Sequence, residues 1–101
     1  MIPSLLAQAI REKKRVIATY DTHHREFCPH VLGFKGSELR VFVYQCAGMS
    51  NKGTVFGEWK CFVVSNLSNV SITSGIWRTD IGHSHSRSQS CIDTVTVQVP
   101  F

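Results

Sequence analysis

No stretch of this 101-residue sequence holds the run of about 18 apolar residues that a membrane-spanning helix needs, so no membrane association is expected. No basic segment precedes an apolar one near Met1, and a secretory leader is not expected either. The four cysteines, Cys28, Cys46, Cys61 and Cys91, include no Cys-x-x-Cys pair. Without a leader, they read as reduced thiols of a cytoplasmic protein rather than as a disulfide framework. A Gly-rich phosphate loop, a Gly-x-Ser-x-Gly elbow and a His-Glu-x-x-His helix are all missing. Acidic residues are few, seven in all, and no two form a close pair on one strand. Those absences argue against an enzyme, and no cofactor is expected. No internal repeat with a period of about 20–50 residues is visible.

What is present describes one small domain. Hydrophobic residues make up 43% and charged ones 18%, enough to pack a core and too apolar for a disordered chain. Eleven Lys and Arg against seven Asp and Glu leave a formal charge of +4, compatible with an anionic partner. The basic cluster Arg11-Glu12-Lys13-Lys14-Arg15 reads first as the solvated C-terminal end of a helix, where cations meet the unpaired carbonyls. A phosphate-facing patch is its alternative reading.

Hydrophobic spacing predicts a helix over Ser4 to Lys14, with Ser4 as its N-cap and Leu5, Leu6, Ala9 and Ile10 on one face. The period then changes to two. Strands are predicted at Val16–Tyr20, at Arg25 to about Phe34 with a bend at Pro29, at Leu39–Tyr44, at Glu58–Val64, at Val70–Thr73 and at Thr94–Val99. Asp21 to His24 reads as a turn and Ala47 to Gly57 as a glycine-containing mobile loop. From Ser74 to Ser90 the pattern thins into a serine-alternating, flexible excursion. The domain therefore spans 1–101, with its core in about 4–73 and a flexible segment plus strand in 74–101. One helix followed by short antiparallel strands predicts a mainly β fold, a small barrel or rolled sheet. The strands around Phe42 and Phe62 are apolar on both faces, and a second subunit, in a homodimer, is the expected cover. The closing strand has two ways to hide its edge: its own sheet, or a neighbour's.

The order Leu5-Leu6, Ala9-Ile10, Val16-Ile17, Tyr20, Arg25, Pro29, Val31-Leu32-Gly33, Tyr44, Trp59-Lys60-Cys61-Phe62 and Asn66-Leu67 resembles the WYL domain. The likeness covers residues 5 to 73. It implies a bacterial regulatory, ligand-sensing module on an Sm-like or SH3-like antiparallel β-barrel, non-catalytic and binding a nucleotide-like or nucleic-acid ligand. The family's Trp-Tyr-Leu signature falls on Leu39-Arg40-Val41, and its basic positions fall near Val63 and Asn66, which are uncharged. Arg25 is kept within Tyr20-x4-Arg25-x3-Pro29.

A reduced pocket is expected from the residues themselves. Arg25, Arg40 and Lys60 are its candidate cations and Tyr44 its candidate aromatic wall, since cations beside rings hold a phosphate while stacking a base. The competing reading places the aromatics in the core, with Arg40 and Lys60 reaching out to the rim. Under that reading the chain is a structural or protein-interaction domain that has lost ligand binding. His23, His24, Cys28 and His30, and separately His83, His85 and Cys91, form loose groups, but neither has the spacing of a zinc finger or ribbon, and no metal is expected.

Overall fold

The computed structural model describes residues 1–50, 53–54, 57–79 and 91–99. Helix α1 runs Ile2–Glu12 and buries Leu6, Ala9 and Ile10 completely. It starts ahead of Ser4, which lies inside the first turn and caps nothing; Met1 is the N-cap. Pro3 explains the earlier start, because a first-turn residue has no intrahelical partner for its N–H and proline has none to waste. Lys13 ends the helix in the left-handed conformation at φ 53°, and the Lys14 N–H donates to the Ala9 carbonyl at 2.8 Å.

Seven antiparallel strands follow among the described residues: β1 Arg15–Tyr20, β2 His23–Lys35, β3 Glu38–Ser50, β4 Gly53–Thr54, β5 Glu58–Val63, β6 Ser68–Thr73 and β7 Thr94–Gln98. A 3-10 turn, Val64–Asn66, separates β5 from β6. The path is β4-β3-β2-β1-β6, with β5 also on β3 and β7 also on β2. The fold is thus mainly β with one N-terminal helix, but pairing does not close the sheet into the expected barrel. Among the described residues neither β4 nor β5 pairs with β6 or β7. Strands β2 and β3 curl instead. β2 shifts register between Glu26 and Phe27 and between Pro29 and Val31, so its first half pairs β1 and its second half pairs β7.

Two expected loops are shorter than the sequence suggests. His23 and His24 belong to β2, and the turn is Asp21-Thr22 alone, at φ 51° and 64°. Two consecutive positive φ values joining Tyr20 to His23 are the type I′ hairpin turn, which favours Asn-Gly because its twist matches that of the strands. Thr22, β-branched, is strained there. Thr22→Gly is expected to raise stability by about 1 kcal/mol, read as a higher urea midpoint; an unchanged or lower midpoint contradicts the turn assignment. Likewise, the predicted 47–57 loop begins as strand, since β3 runs on to Ser50 and pairs β4. Gly48, at φ 96°, permits this, because a Cβ there meets the His24 backbone.

Each side of the sheet carries a core. On the helix side lie Leu6, Ile10, Val16, Phe27, Val41, Val43, Phe62 and Val99. On the other side, Val31 and Phe42 pack with Cys91 and Ile92, and Cys28, Tyr44 and Cys46 pack beside Trp59 and Trp77. Both faces of the middle strands are covered, as expected, but the cover belongs to the same chain. Trp77 donates its indole N–H to the Pro29 carbonyl at 3.4 Å, Arg78 its backbone N–H to Cys28 Sγ at 3.1 Å, and Thr79 Oγ1 meets His30 Nε2 at 2.9 Å. β7 joins its own sheet, on β2. The need for a partner subunit over this face is thereby removed. The Ser84 to Ser90 alternation lies outside the described residues.

The expectation of four reduced thiols is corrected for two of them. Cys61 and Cys91 form a disulfide that ties β5 to the residues entering β7. Cys28 and Cys46 remain free and buried. No helix is long and apolar enough to cross a membrane among the described residues.

Candidate functional site

Strand register decides which candidate residues meet. β3 and β5 pair Arg40 with Val63, Val41 with Phe62, Phe42 with Cys61, Val43 with Lys60 and Tyr44 with Trp59. Paired residues share a face, so Arg40 and Tyr44 lie on the Trp59 side and Lys60 lies with Phe62 on the helix side. The four expected site residues are split by the thickness of the sheet.

Arg40 bonds Glu38 at 2.8 Å and lies 4.0 Å from the Cys61 sulfur. Tyr44 is 8% exposed, its ring 5.3 Å from that of Trp59, and serves as core. Both lie across the sheet from Lys60 and outside the cavity that Arg25 and Lys60 line. Arg25 and Lys60 do meet, lining a cavity of about 230 Å³ with Tyr20, Asp21, Ser50, Cys61 and Phe62. A larger cavity of about 520 Å³, against Ile2, Leu39 and Val64, has one carboxylate and no side-chain cation.

Arg25 is the centre of the smaller cavity. Only 3% exposed, it lies on β2 opposite Ala18, whose small side chain leaves room for the guanidinium. Nε and Nη2 donate to the Tyr20 carbonyl at 3.3 and 3.2 Å, and Nη1 donates to Gln45 Oε1 at 3.2 Å. Those bonds use three of the five guanidinium N–H donors. The guanidinium carbon lies 5.4 Å from the Tyr20 ring centre and 5.3 Å from that of Phe62. No carboxylate within ion-pair distance joins it among the described residues. Burial pulls its pKa below the ordinary value, opposed by the charges of Asp21 and Tyr20. Arginine stays protonated through such a shift, so the cavity wall holds a desolvated cation satisfied by neutral oxygens.

Gln45 is the residue that sequence reasoning missed. It is fully buried and donates through Nε2 to the Ala47 and Met49 carbonyls at 3.1 and 3.2 Å. That anchoring turns Oε1 toward Arg25. The available signal is its alternation with Val41 and Val43, a polar residue at an inward position just past the expected strand end. Lys60 stands 2.9 Å from Glu58, a partly exposed pair that an incoming anion has to separate.

His23, His24, Cys28 and His30 do not converge on a metal site. No three His, Cys, Asp or Glu side chains are placed to hold a metal ion among the described residues, and His83 and His85 lie outside them. His30 is fully buried between the rings of Trp59 and Trp77, with Nδ1 2.7 Å from the Cys28 carbonyl oxygen and Nε2 bonded to Thr79.

Compared with protein-family models, curated proteins and solved structures, the chain matches none.

Proposed function

We propose that this chain is a non-catalytic, WYL-like ligand-sensing module that binds the phosphate of a nucleotide-like ligand at Arg25 and Lys60. The observation that carries the reading is Arg25: a buried guanidinium with no carboxylate in ion-pair contact among the described residues, facing a cavity beside two aromatic rings. A buried cation is expensive unless something compensates it, and an anion supplies the compensation that neutral oxygens give only in part. Supporting the Sm-like or SH3-like part of the reading is the strand path β6-β1-β2-β3-β5 behind one helix, with a 3-10 turn joining β5 to β6.

Titration with a nucleoside diphosphate at low salt tests the proposal. Binding is expected to weaken as salt rises, since its core is an ion pair. Lys60→Ala lowers affinity about tenfold, the value of one charge-assisted hydrogen bond. Arg40→Ala, on the opposite face, leaves affinity unchanged. Absence of binding at low salt, or equal loss in both variants, refutes the site.

A protein-interaction role is the second reading, and it rests on strand edges: β5 pairs only with β3 and β6 only with β1 among the described residues. It keeps the homodimer as a proposal, through edge pairing rather than face cover, and light scattering reads it directly. A cytoplasmic address rests on reduced thiols, and the Cys61–Cys91 bond speaks against it, because such bonds persist mainly in oxidising compartments.

A further inference from the structure

Cys28 on β2 and Cys46 on β3 are brought together by the register shift between Glu26 and Phe27. Their sulfurs are 4.0 Å apart, close enough for one S–H to donate to the other sulfur. Around them stand Tyr44, Trp59 and Trp77, an apolar sheath. The two thiols differ in access: Cys28 is completely buried, whereas Cys46 is 6% exposed. They differ in partners as well. Cys28 Sγ accepts the Arg78 backbone N–H at 3.1 Å, and Cys46, when protonated, donates to the Glu26 carbonyl at 3.5 Å, a weak bond because a thiol is a weak donor.

We propose that Cys46 and Cys28 are a peroxide-reactive thiol pair, Cys46 taking the oxygen and Cys28 resolving it as a disulfide. The thiolate of Cys46 attacks one oxygen of a hydroperoxide and breaks the O–O bond. The leaving alkoxide or hydroxide takes a proton and departs as alcohol or water, and Cys46 becomes a sulfenic acid. Cys28 then attacks Cys46 Sγ, the S–O bond breaks, and the oxygen leaves as water with the Cys28 proton. In sum, two thiols and one peroxide give one disulfide, one alcohol or water and one further water. The two sulfurs close by about 2 Å to reach bonding distance. A hydroperoxide is small enough to suit a sulfur only 6% exposed, where a bulky disulfide reagent is not.

Electrostatics separate the two roles. The Cys28 S–H bond and the positive charge of Arg15 on β1 lower Cys46 to about 7, against burial and Glu26 on β2, which raise it. Cys28 is pushed up, chiefly because it holds the shared proton and also by burial, against the Arg78 backbone N–H and the Arg15 charge, which lower it. The segment Trp77 to Thr79 contributes a backbone N–H and no carboxylate to the pair. Cys46 is therefore the thiolate and Cys28 the proton holder near neutral pH. Neither sulfur belongs to the anion cavity, so this chemistry is independent of the ligand reading.

The experiment treats the folded protein, its Cys61–Cys91 bond intact, with hydrogen peroxide and maps the disulfides by mass spectrometry. A new Cys28–Cys46 linkage, with loss of two hydrogens, is expected. The rate rises roughly tenfold from one pH unit below the Cys46 midpoint to one above it, because only the thiolate attacks. Oxidation of the exposed Met1 and Met49 serves as the internal reference for peroxide dose. Cys28→Ser stops at a sulfenic acid on Cys46, trapped by dimedone, whereas Cys46→Ser leaves Cys28 unmodified. Two results overturn the proposal without any variant: thiols that react only after unfolding in urea, or Cys28 oxidised ahead of Cys46.

Discussion

Reduction of Cys61–Cys91 is expected to lower the free energy of unfolding by about 3.5 kcal/mol, the chain-entropy value for a bond spanning 30 residues. The chain does not fall apart, because the C-terminal segment has anchors of its own. Asp93 donates its backbone N–H to the Phe34 carbonyl at 2.7 Å and accepts from Gly36 at 3.3 Å, and β7 pairs β2 from Val31 to Phe34. The exposed Lys35–Asp93 pair at 3.2 Å adds little. What weakens is the cover over the second core. Trp59 packs under Cys91 and Ile92, so indole fluorescence follows the loosening while urea unfolding follows the stability. The double variant Cys61→Ser, Cys91→Ser reports the same loss without releasing two further thiols beside Cys28 and Cys46. A urea midpoint equal to that of the oxidised protein contradicts the bond or its role.

The sequence declares local periodicity well and long-range partnership poorly, and particular residues show why. Alternation at Val16, Ala18, Val97 and Val99, and the helical spacing of Leu6 and Ile10, report a buried face that any partner sheet satisfies. The antiparallel order and the single helix followed from those patterns. Pairing register does not follow, because a strand carries no mark of the neighbour opposite it. Lys60 against Val43, rather than against a residue of the Arg40 face, is such a fact, and it halves the expected site. Disulfide partnership is equally silent in sequence, since Cys61 and Cys91 stand 30 residues apart and connectivity is not encoded in spacing. Arg25 and Lys60 were legible as cations. The Gln45 amide that positions Arg25 was not, because the expected strand ended at Tyr44 and the bulged continuation depends on Gly48 meeting β2.

Phe62→Ala is expected to be the most damaging single substitution argued from this fold. Phe62 is 2% exposed, with its ring 4.4 Å from Tyr20 and 5.3 Å, edge to face, from Phe27. Truncation removes that buried surface and leaves a void bordered by α1, β1 and β2, a loss of about 4 kcal/mol. For a domain of this size the melting temperature falls by roughly 15–30 °C. Such a variant is close to the whole stability of a small domain, so Phe62→Leu is the informative companion, expected to cost under about 1.5 kcal/mol. Leucine keeps the apolar wall but removes the ring face above which the Arg25 guanidinium lies 5.3 Å away. Stability and ligand affinity therefore separate in the leucine variant. A near-normal urea midpoint with weaker nucleotide binding places the ring in the site, as the anion reading requires. Unchanged affinity in a folded Phe62→Leu protein confines Phe62 to the core and leaves Tyr20 as the aromatic partner of Arg25. A Phe62→Ala protein melting like the parent contradicts the packing of β5 on the helix-side core.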